Sequence, residues 1–308
     1  MNINKCQLNI SHLKMICTID QAATVKEAAQ ALFITQPALT NRIREAERRL
    51  KTHLFIRKGR KLIITSAGKR LLDSAQKILE ELERAEYDIS LLAEGIEQVL
   101  RIGTPHYASF KWLPFAINTF NEALPNIELE VTANTTHEPM AALLRGDIDI
   151  AMISSPKKRL TLDEACSASF ILQDELLACL SSKHKNASKH YLEAEEFSDE
   201  VYITNSTVPE KDREYELFFK PKKILPRKVL QVGFNEAIIE LVKANMGLTI
   251  MSERLIEAYL FNNEIKTVKL GKSGLKIYWH LVYLKQNKMI KPVKLLTQIL
   301  QERADLVQ

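Results

Sequence analysis

The chain has 308 residues, of which 46% are hydrophobic and 26% charged, a balance typical of a globular protein with two or three domains. No apolar run approaches the about 20 residues of a membrane-spanning helix, and the first residues lack the apolar core of a signal peptide, so we expect a cytoplasmic protein. The net charge of +5 is uneven: residues 1–65 hold 12 Lys and Arg against 4 Asp and Glu (+8), and the remainder holds 31 against 34 (−3). A basic N-terminal block is typical of a domain that binds a polyanion, although a merely solvated basic face gives the same count.

Three helices are predicted at the start of the chain. Apolar residues recur at helical spacing over residues 8–22, and the capping box TVKE, residues 24–27, begins a short second helix that ends near Leu32. After a tight turn, Thr35 provides the N-cap of the third helix. Pro37 lies in the first turn of that helix, where its missing amide has no helical partner to lose.

The third helix has one apolar face and one polar, basic face. The apolar face recurs at helical spacing and consists of Leu39, Ile43, Ala46 and Leu50. On the opposite side lie Pro37, Asn41, Arg44 and Arg48. Two short helices joined by a tight turn, the second of them polar and basic, are typical of a helix-turn-helix, whose second helix enters the major groove of DNA.

A β-hairpin is predicted in the stretch HLFIRKGRKLIITSAG, residues 53–68, because two β-prone runs flank a basic turn at Lys58, Gly59 and Arg60. A basic tip suits a wing that lies against DNA phosphates. The alternative is a hairpin that only caps the three-helix core.

A long helix follows Thr65 and carries an apolar seam at alternating spacings of four and three residues. The seam consists of Leu71, Ala75, Ile78, Leu82, Ala85, Ile89 and Leu92. Three heptads of this kind, surrounded by charged residues, predict a coiled coil and therefore dimerisation through a partner helix. The alternative is an amphipathic helix that lies on its own domain.

Beyond Gly95 the pattern alternates between strands and helices. Candidate strands are residues 99–103, 127–132, 148–153, 176–181, 201–204, 229–232, 248–251 and 278–284. With helices between most of them, this order predicts an α/β fold with largely parallel sheets.

Four helix starts are predicted directly after strands: GTPHY at residues 103–107, TTHEP at 135–139, TNST at 204–207 and GFNEA at 233–237. The amides at a helix N-terminus attract anions, so together these starts predict a ligand cleft, although each alone could be an ordinary cap. The aromatic group His106, Tyr107, Phe110 and Trp112 could line the apolar wall of this cleft, although Trp112 is better suited to the core. The candidate ligand-binding residues are Thr104, His106, Tyr107, Thr135, Thr136, Thr204, Ser206 and Phe234.

Signatures of enzymes and metal sites are missing from the sequence. It contains no G-x-S-x-G, Walker or G-x-G-x-x-G motif, and its seven histidines form no metal-binding motif. The four cysteines, Cys6, Cys17, Cys166 and Cys179, are too sparse for a disulfide framework and are interpreted as reduced packing residues. A binding module without cofactor or metal is therefore expected rather than an enzyme.

These motifs, in this order, resemble the LysR-type transcriptional regulators. AAQALFITQPALTNRIREAERRL resembles the helix-turn-helix of the family, and LFIRKGRKLIITSAG resembles its wing. The following helix resembles the dimerisation linker of the family. WLPFAINTFNEALPNIELEV, LLRGDIDIAMI and LVKANMGLTIMS resemble its effector-binding domain, so the similarity extends along nearly the whole chain.

The resemblance implies a winged helix-turn-helix over residues 1–65, a coiled-coil linker over 66–97, and a two-lobed domain similar to periplasmic binding proteins over 98–308. Lobe I would comprise residues 98–169 and 272–308, and lobe II residues 170–271, with crossings near Phe170 and Lys272. DNA-contacting positions carry over to Gln36, Pro37, Ala38, Thr40, Asn41, Arg44, Arg57 and Arg60.

The implied partners are promoter DNA, a small effector, and other copies of the chain in a homodimer or homotetramer. RNA polymerase would be a partner of an activator, and no membrane is involved. The FKWLP and ANMGLTIM stretches resemble the subgroup that regulates methionine biosynthesis, whose effector is homocysteine. We therefore expect a small, anionic, amino-acid-like effector between the lobes.

The sequence departs from the family pattern at several positions. Ala46 replaces a common leucine, Lys51 replaces the glycine that usually ends the recognition helix, and Asn245 and Ser252 replace a frequent Gly and Pro. Two other functions stay open at this point. One is a solute-binding or enzymatic α/β protein with an accessory basic DNA-binding module, and the other is an architectural DNA-binding protein that does not read sequence.

Overall fold

The computed structural model describes residues 5–58, 61–132, 138–207 and 211–305. The chain divides into two compact units, Met1–Gly95 and Ile96–Gln308. Within the described ranges, every helix is too short or too polar to cross a lipid bilayer.

In its described residues, the first unit has four α-helices and one antiparallel hairpin. Its elements are α1 (Ile10–Gln21), α2 (Val25–Ala31), α3 (Gln36–Leu50), β1 (Phe55–Lys58), β2 (Lys61–Ile64) and α4 (Ser66–Leu92). Hydroxyl groups at three N-caps, Thr24, Thr35 and Thr65, accept hydrogen bonds from backbone amides in the first turns of α2, α3 and α4. These caps satisfy amides that have no partner inside the helix, and they begin the helices where the sequence predicts.

The core of this unit lies between α1, α2, α3 and the first half of α4. Met15 and Ile16 of α1, Leu39 of α3 and Ala75 of α4 are fully buried there. Gly68 lets α4 approach the hairpin closely, because a Cβ atom at this position would lie 2.3 Å from the carbonyl oxygen of Leu54. The core therefore fixes the orientation of α3 against α1 and of the hairpin against α4.

A buried histidine caps the first helix. The backbone amide of Asn9 donates to Nδ1 of His12, and the amide of His12 donates to the side chain of Asn9. His12 is only 1% exposed, and burial lowers its pKa below the ordinary value of 6.5. Because Nδ1 accepts a hydrogen bond, the neutral ring carries its proton on Nε2, 3.7 Å from the Glu45 carboxylate.

The second unit is an α/β structure. Its strands are β3 (Gln98–Gly103), β4 (Ile127–Thr132), β5 (Ile150–Ser155), β6 (Cys166–Ser181), β7 (Tyr191–Leu192), β8 (Val201–Thr204), β9 (Lys228–Gln231), β10 (Thr249–Ser252), β11 (Ile265–Leu270) and β12 (Leu275–Leu284). Its α-helices are α5 (Leu113–Ala123), α6 (Pro139–Arg145), α7 (Asn235–Lys243), α8 (Glu253–Ile256) and α9 (Ile290–Asp305).

The large sheet is mixed, with strand order β4-β3-β5-β12-β6-β11-β7 and β10 paired to β6. β3 pairs in parallel with β4 and β5, whereas β6 pairs antiparallel with β10, β11 and β12. The expectation of largely parallel sheets is therefore wrong at the centre of this sheet. The physical reason is that the longest strands, β6 and β12, run past each other in opposite directions.

The two long strands connect two groups of elements. β6 pairs with β12 up to Leu176 and from there with β10 and β11, so its change of partner lies six residues beyond Phe170. The chain returns through the turn between β11 and β12, where Gly271 and Gly274 adopt left-handed φ angles of 68° and 74°. We call the group with β3, β4, β5 and β12 lobe I, and the group with β7 to β11 lobe II.

Candidate functional site

The polar face of α3 is open to solvent along its first three turns. Gln36, Pro37, Ala38, Asn41 and Arg44 are exposed. On the predicted apolar face of the same helix, Leu39, Ile43 and Ala46 are buried and Leu50 is half-buried. Thr40 is half-buried and donates its hydroxyl to the carbonyl of Gln36 at 3.0 Å. Within the described ranges, neither Asn41 nor Arg44 forms a side-chain hydrogen bond. The residues predicted to contact DNA on this helix therefore share one accessible face.

Glu47 joins the end of α3 to the start of the hairpin. One carboxylate oxygen accepts hydrogen bonds from the amides of Leu54 at 2.8 Å and Phe55 at 3.2 Å. Lys51, which follows α3, adopts a left-handed φ of 54°. Glu47 is a positioning residue that the sequence reasoning missed, because a single glutamate on a helix carries no signal of its distant partners.

The hairpin carries the predicted wing residues. Arg57 is exposed on β1, whereas Gly59 and Arg60, at the predicted basic tip, lie outside the described residues. The antiparallel register joins Lys58 to Lys61 across the turn. The hairpin is therefore the predicted one, and the contact predicted for Arg60 stays a prediction.

The apolar seam of α4 divides into a buried part and an exposed part. Leu71 packs against the core of the first unit, and Ala75 is 0% exposed, so the dimer contact predicted for Ala75 is wrong: its own domain already buries it. Beyond them, Ile78, Ile89 and Leu92 are 50%, 65% and 57% exposed. Ala85 is also exposed and Leu82 half-buried. The solvent-accessible seam therefore begins at Ile78.

Two of the four predicted helix starts need correction. Thr104 is 1% exposed and is followed by a turn in which the Ala108 amide donates to the Pro105 carbonyl, so no helix begins there. The next helix, α5, begins at Leu113, and no helix follows Thr204 directly. In the third stretch, α6 begins at Pro139, and Glu138 forms no side-chain cap. Thr135 and Thr136 lie outside the described residues, so their predicted role stays a prediction.

The fourth start is correct, because α7 begins at Asn235 within GFNEA. Its N-cap residue, Phe234, is 74% exposed and forms no side-chain cap. The predicted ligand cleft is therefore not surrounded by helix N-termini in the described residues. Pro and Asn are also common turn residues, so Thr104–Pro105 and Thr204–Asn205 do not by themselves distinguish a turn from a helix start.

The second unit instead has a cleft near the carboxyl end of β8. A cavity of about 230 Å³ is lined by three predicted ligand residues, His106, Thr204 and Ser206. A narrower adjoining cavity is lined by Tyr107 and Asn235 and shares Thr204, Asn205 and Arg213 with the first. We call the two together the interlobe cleft. Thr104 and Phe234 line neither cavity.

A buried charge pair lies in the wall of the interlobe cleft. Arg213 and Glu214 are each 8% exposed, and Nε of Arg213 donates to Glu214 at 2.8 Å. The hydroxyl of Tyr202 donates to the other oxygen of Glu214 at 3.0 Å. Cζ of Arg213 lies 3.5 Å from the centroid of the Tyr107 ring, a cation–π contact.

These contacts keep both partners of the pair charged. Burial alone raises the pKa of Glu214, but the guanidinium of Arg213 holds that pKa below its ordinary value. Burial alone lowers the pKa of Arg213, and Glu214 holds it above its ordinary value. Burial and the neighbouring Glu214 raise the pKa of Tyr202 well above 10.0, so Tyr202 stays a hydrogen-bond donor. The cleft therefore presents a fixed cation beside a neutral phenol.

Amide side chains connect the two lobes across the cleft. Nδ2 of Asn235 donates to the carbonyl of His106 at 3.1 Å, and Nδ2 of Asn205 donates to Oδ1 of Asn235 at 3.3 Å. The loop after β3 is thereby tied to the start of α7 and the end of β8. A ligand in the cleft would contact groups whose spacing depends on how the lobes are arranged.

Sequence reasoning missed Arg213, Glu214 and Asn235. Arg213 and Glu214 belong to the charged stretch EKDREYE, residues 210–216, a composition typical of a solvated loop. A usable signal was the aromatic content that follows, because Phe218 and Phe219 are buried and carry the loop into the core. The sequence pattern around Asn235 predicts only a helix start, and it carries no signal of the contact that Asn235 makes between the lobes.

Together, a winged helix-turn-helix, a long helix with an exposed apolar seam, and an α/β unit with an interlobe cleft define a ligand-responsive DNA-binding regulator. Two family models match the chain: "Bacterial regulatory helix-turn-helix protein, lysR family" over residues 10–69 and "LysR substrate binding domain" over residues 93–305. The chain belongs to the LysR family of transcriptional regulators. Family membership confirms the predicted winged helix-turn-helix and effector-binding domain, and a regulator rather than an enzyme.

Individual relatives agree with this assignment. The transcriptional regulator MetR of Haemophilus influenzae is 28% identical over 87% of this chain and 85% of its own length. The regulatory domain of MetR from N. meningitidis is similar in fold, with a TM-score of 0.60 at 22% identity over 68% of this chain and 94% of that one. Full-length CbnR in complex with its target DNA has a TM-score of 0.71 at 19% identity over 96% of this chain and 99% of that one. The MetR of Haemophilus influenzae matches the predicted resemblance to the methionine subgroup, and the two structures show the same fold.

Proposed function

We propose that the effector of this regulator is a small amino-acid-like carboxylate and that Arg213 receives its carboxylate in the interlobe cleft. The observation that carries the proposal is a buried guanidinium in the wall of both cavities of the cleft. Its Nε is bound to Glu214, and its terminal amino groups form no hydrogen bond within the described ranges. A guanidinium has a fixed fork of donors that matches a carboxylate, which gives it the role first predicted for helix N-termini.

The rest of the cleft suits the other end of an amino acid. Thr204 and Asn205 offer oxygen acceptors for an ammonium group, and Phe219 and Leu225 line an apolar part of the larger cavity. Homocysteine, the effector of the subgroup that the sequence resembles, has this combination of a charged end and a short apolar side chain. A cavity of about 230 Å³ also suits a metabolite of this size better than a larger ligand.

The test is calorimetry of the full chain with homocysteine, methionine, glutamate and simple organic acids. The informative variant is the double change Arg213→Gln and Glu214→Gln, which removes both charges and so leaves no unpaired ion in the interior. We expect it to weaken binding of the carboxylate ligand at least about 30-fold, the loss of about 2 kcal/mol from a charge-assisted hydrogen bond. Phe234→Ser is the matched control, because Phe234 is exposed and lines neither cavity.

Thermal unfolding of each variant separates a lost contact from a lost fold. A folded double variant that binds the same ligand with unchanged affinity would show that Arg213 does not recognise the carboxylate. Reduced binding in Phe234→Ser alone would restore the helix N-terminus of α7 as the ligand site.

We further propose that Gln36, Pro37, Ala38, Thr40, Asn41 and Arg44 contact promoter DNA together with Arg57 and Arg60 of the hairpin. The exposed polar face of α3 and the basic charge of the first unit support this assignment. The seam from Ile78 to Leu92 joins two chains into a homodimer, and two such dimers form a tetramer that holds separate half-sites. If the regulator activates transcription, RNA polymerase is a further partner.

The proposed division of the effector-binding domain follows residues 98–169 with 272–308 and residues 170–271. The change of strand partner at Leu176 and the turn between β11 and β12 support two lobes that meet at the interlobe cleft. An effector that binds there changes operator affinity only by its unequal affinity for two arrangements of the assembly, and such coupling amounts to about 1 to 3 kcal/mol.

A further inference from the structure

A second cavity in the effector-binding domain lies apart from the interlobe cleft. It has a volume of about 200 Å³ and shares no lining residue with the two cavities of the cleft among the described residues. Its walls come from the loop after β3, the long strands β6 and β12, the start of α8 and the end of α9. It therefore contacts elements of both lobes.

The interior of this cavity is mostly apolar and aromatic. Trp279 is 6% exposed, Ile171 7% and Leu300 4%, and Trp112 lies beside them. Nε1 of Trp279 donates to the carboxylate of Asp174 at 3.0 Å, so that donor is already used. The Nε1 atom of Trp112 is buried and has no acceptor in the part of the chain that the structure describes. A buried N–H without an acceptor is unfavourable, so a bound oxygen atom would stabilise it.

Cationic side chains outnumber the available acidic ones around this interior. Lys111 of lobe I pairs with Glu257 of lobe II at 2.8 Å, which neutralises both. Arg254 and Arg303 also line the cavity. Within the described ranges Arg254 has no ion pair, and Arg303 lies 5.1 Å from the Phe115 ring. The one remaining carboxylate, Asp174, accepts hydrogen bonds from Trp279 and from two backbone amides.

We propose that this cavity is a second ligand site, for a small apolar molecule that carries one carboxylate group. The apolar part would lie against the tryptophans and Ile171, and the carboxylate would lie toward Arg254 and Arg303 and accept the free N–H of Trp112. Typical ligand pockets measure about 300 to 1,000 Å³, so a cavity of 200 Å³ suits a short branched or single-ring acid. The site takes no amino group, because its only acidic side chain without an ion pair is already hydrogen-bonded to donors of the protein.

The test uses an optical property of the chain itself. The protein has two tryptophans, and both line this cavity, so intrinsic tryptophan fluorescence reports on its occupation. The probe is 4-methylpentanoate, which has a branched apolar end and one carboxylate, and the matched uncharged probe is 4-methylpentanamide. We expect a saturable change of tryptophan emission with the acid, and at least about 10-fold weaker binding of the amide, because a charge-assisted pair with arginine is lost.

Two groups of variants identify the location of the probe. Arg254→Gln and Arg303→Gln change partly exposed side chains and should each weaken the acid severalfold while leaving the emission of the free protein unchanged. The double change Arg213→Gln and Glu214→Gln, in the interlobe cleft, should alter the affinity for the acid less than either arginine variant of this cavity does.

Four results would overturn the proposal. One is the absence of a saturable change at millimolar acid, and another is equal binding of the acid and the amide. A third is unchanged binding of the acid in both arginine variants. The last is loss of the signal in the cleft double variant alone, which would place the probe in the interlobe cleft. The proposed effector could still bind that cleft in each case, so failure here is distinguishable from failure of the proposed function.

Discussion

Ile89→Ala tests whether the exposed seam of α4 joins two chains. Ile89 is 65% exposed in the single chain, and Ile78 and Leu92 on the same seam are 50% and 57% exposed. Fully burying an isoleucine side chain stabilises by about 1.5 to 3 kcal/mol. The exposed share of Ile89 therefore contributes about 1 to 2 kcal/mol per chain when a partner helix covers it.

A symmetric dimer contains the change twice, so Ile89→Ala should cost about 2 to 4 kcal/mol of association free energy. The dissociation constant of the dimer should rise about 30- to 700-fold. Sedimentation velocity over a dilution series measures this constant directly. Operator binding in a gel-shift assay should weaken with it, because two half-sites require two linked modules.

Glu83→Ala is the matched control, because Glu83 is exposed on the same helix and lies off the seam. Equal dissociation constants for Ile89→Ala and Glu83→Ala would refute the dimer seam. That result would favour the alternative in which α4 is an amphipathic helix of its own domain and the chains associate elsewhere.

Three further predictions concern the first unit. Asn41→Ala or Arg44→Ala should lower operator affinity by about 1 to 3 kcal/mol and relax sequence discrimination, whereas Arg60→Gln should mainly reduce the dependence of binding on salt. Fluorescence anisotropy with operator and scrambled DNA measures both effects. Unchanged operator affinity in both helix variants would contradict the assigned DNA-reading face of α3. Lys51→Gly should stabilise the first unit by about 0.5 to 1 kcal/mol in chemical denaturation. The reason is that the backbone strain of a lysine with left-handed φ exceeds the extra conformational entropy that a glycine loses on folding. A destabilised variant would contradict this prediction. The pKa of His12 is lowered in the folded state, so its contribution to the free energy of unfolding is present above pH 6.5 and is lost as the pH falls through the folded pKa. Urea denaturation on either side of pH 6.5 should show this loss in the wild type and not in His12→Gln.

The first unit was predictable because its signals are local. The N-caps Thr24, Thr35 and Thr65 lie within three residues of the amides they bind, and the buried faces repeat at helical spacing. The same locality explains what was missed. Glu47 binds amides seven and eight residues away in another element, and the burial of Ala75 depends on its contact with the core formed by α1, α2 and α3.

The interlobe cleft was only partly predictable, because its geometry depends on contacts between distant segments. Thr204 and Ser206 were predicted as part of a helix start and lie in the cleft for a different reason, namely that β8 ends there. The contact between Arg213 and Tyr107 joins residues more than 100 positions apart, and no local pattern announces it. Sequence patterns found the strand ends beside the cleft, whereas Arg213, the cation proposed to hold the ligand, enters the cleft wall only through tertiary packing.

If Arg213, rather than a helix N-terminus, holds the carboxylate of the effector, binding can change the contact between the two lobes. A helix N-terminus belongs to one lobe, and an anion bound to it need not sense the other lobe. Arg213 of lobe II lies against Tyr107 of lobe I, and the Tyr107 ring is in turn 5.8 Å from the ring of Trp279 in the second cavity. A carboxylate that draws the guanidinium toward itself therefore competes with a contact between the lobes. Ligands in the two cavities would act on the same loop after β3, and linkage requires that each changes the affinity of the other by the same factor. Calorimetric titration of the effector with and without 4-methylpentanoate measures this factor once, and titration of 4-methylpentanoate with and without the effector measures it again. Unequal values would mean that at least one of the two ligands binds elsewhere or at more than one site.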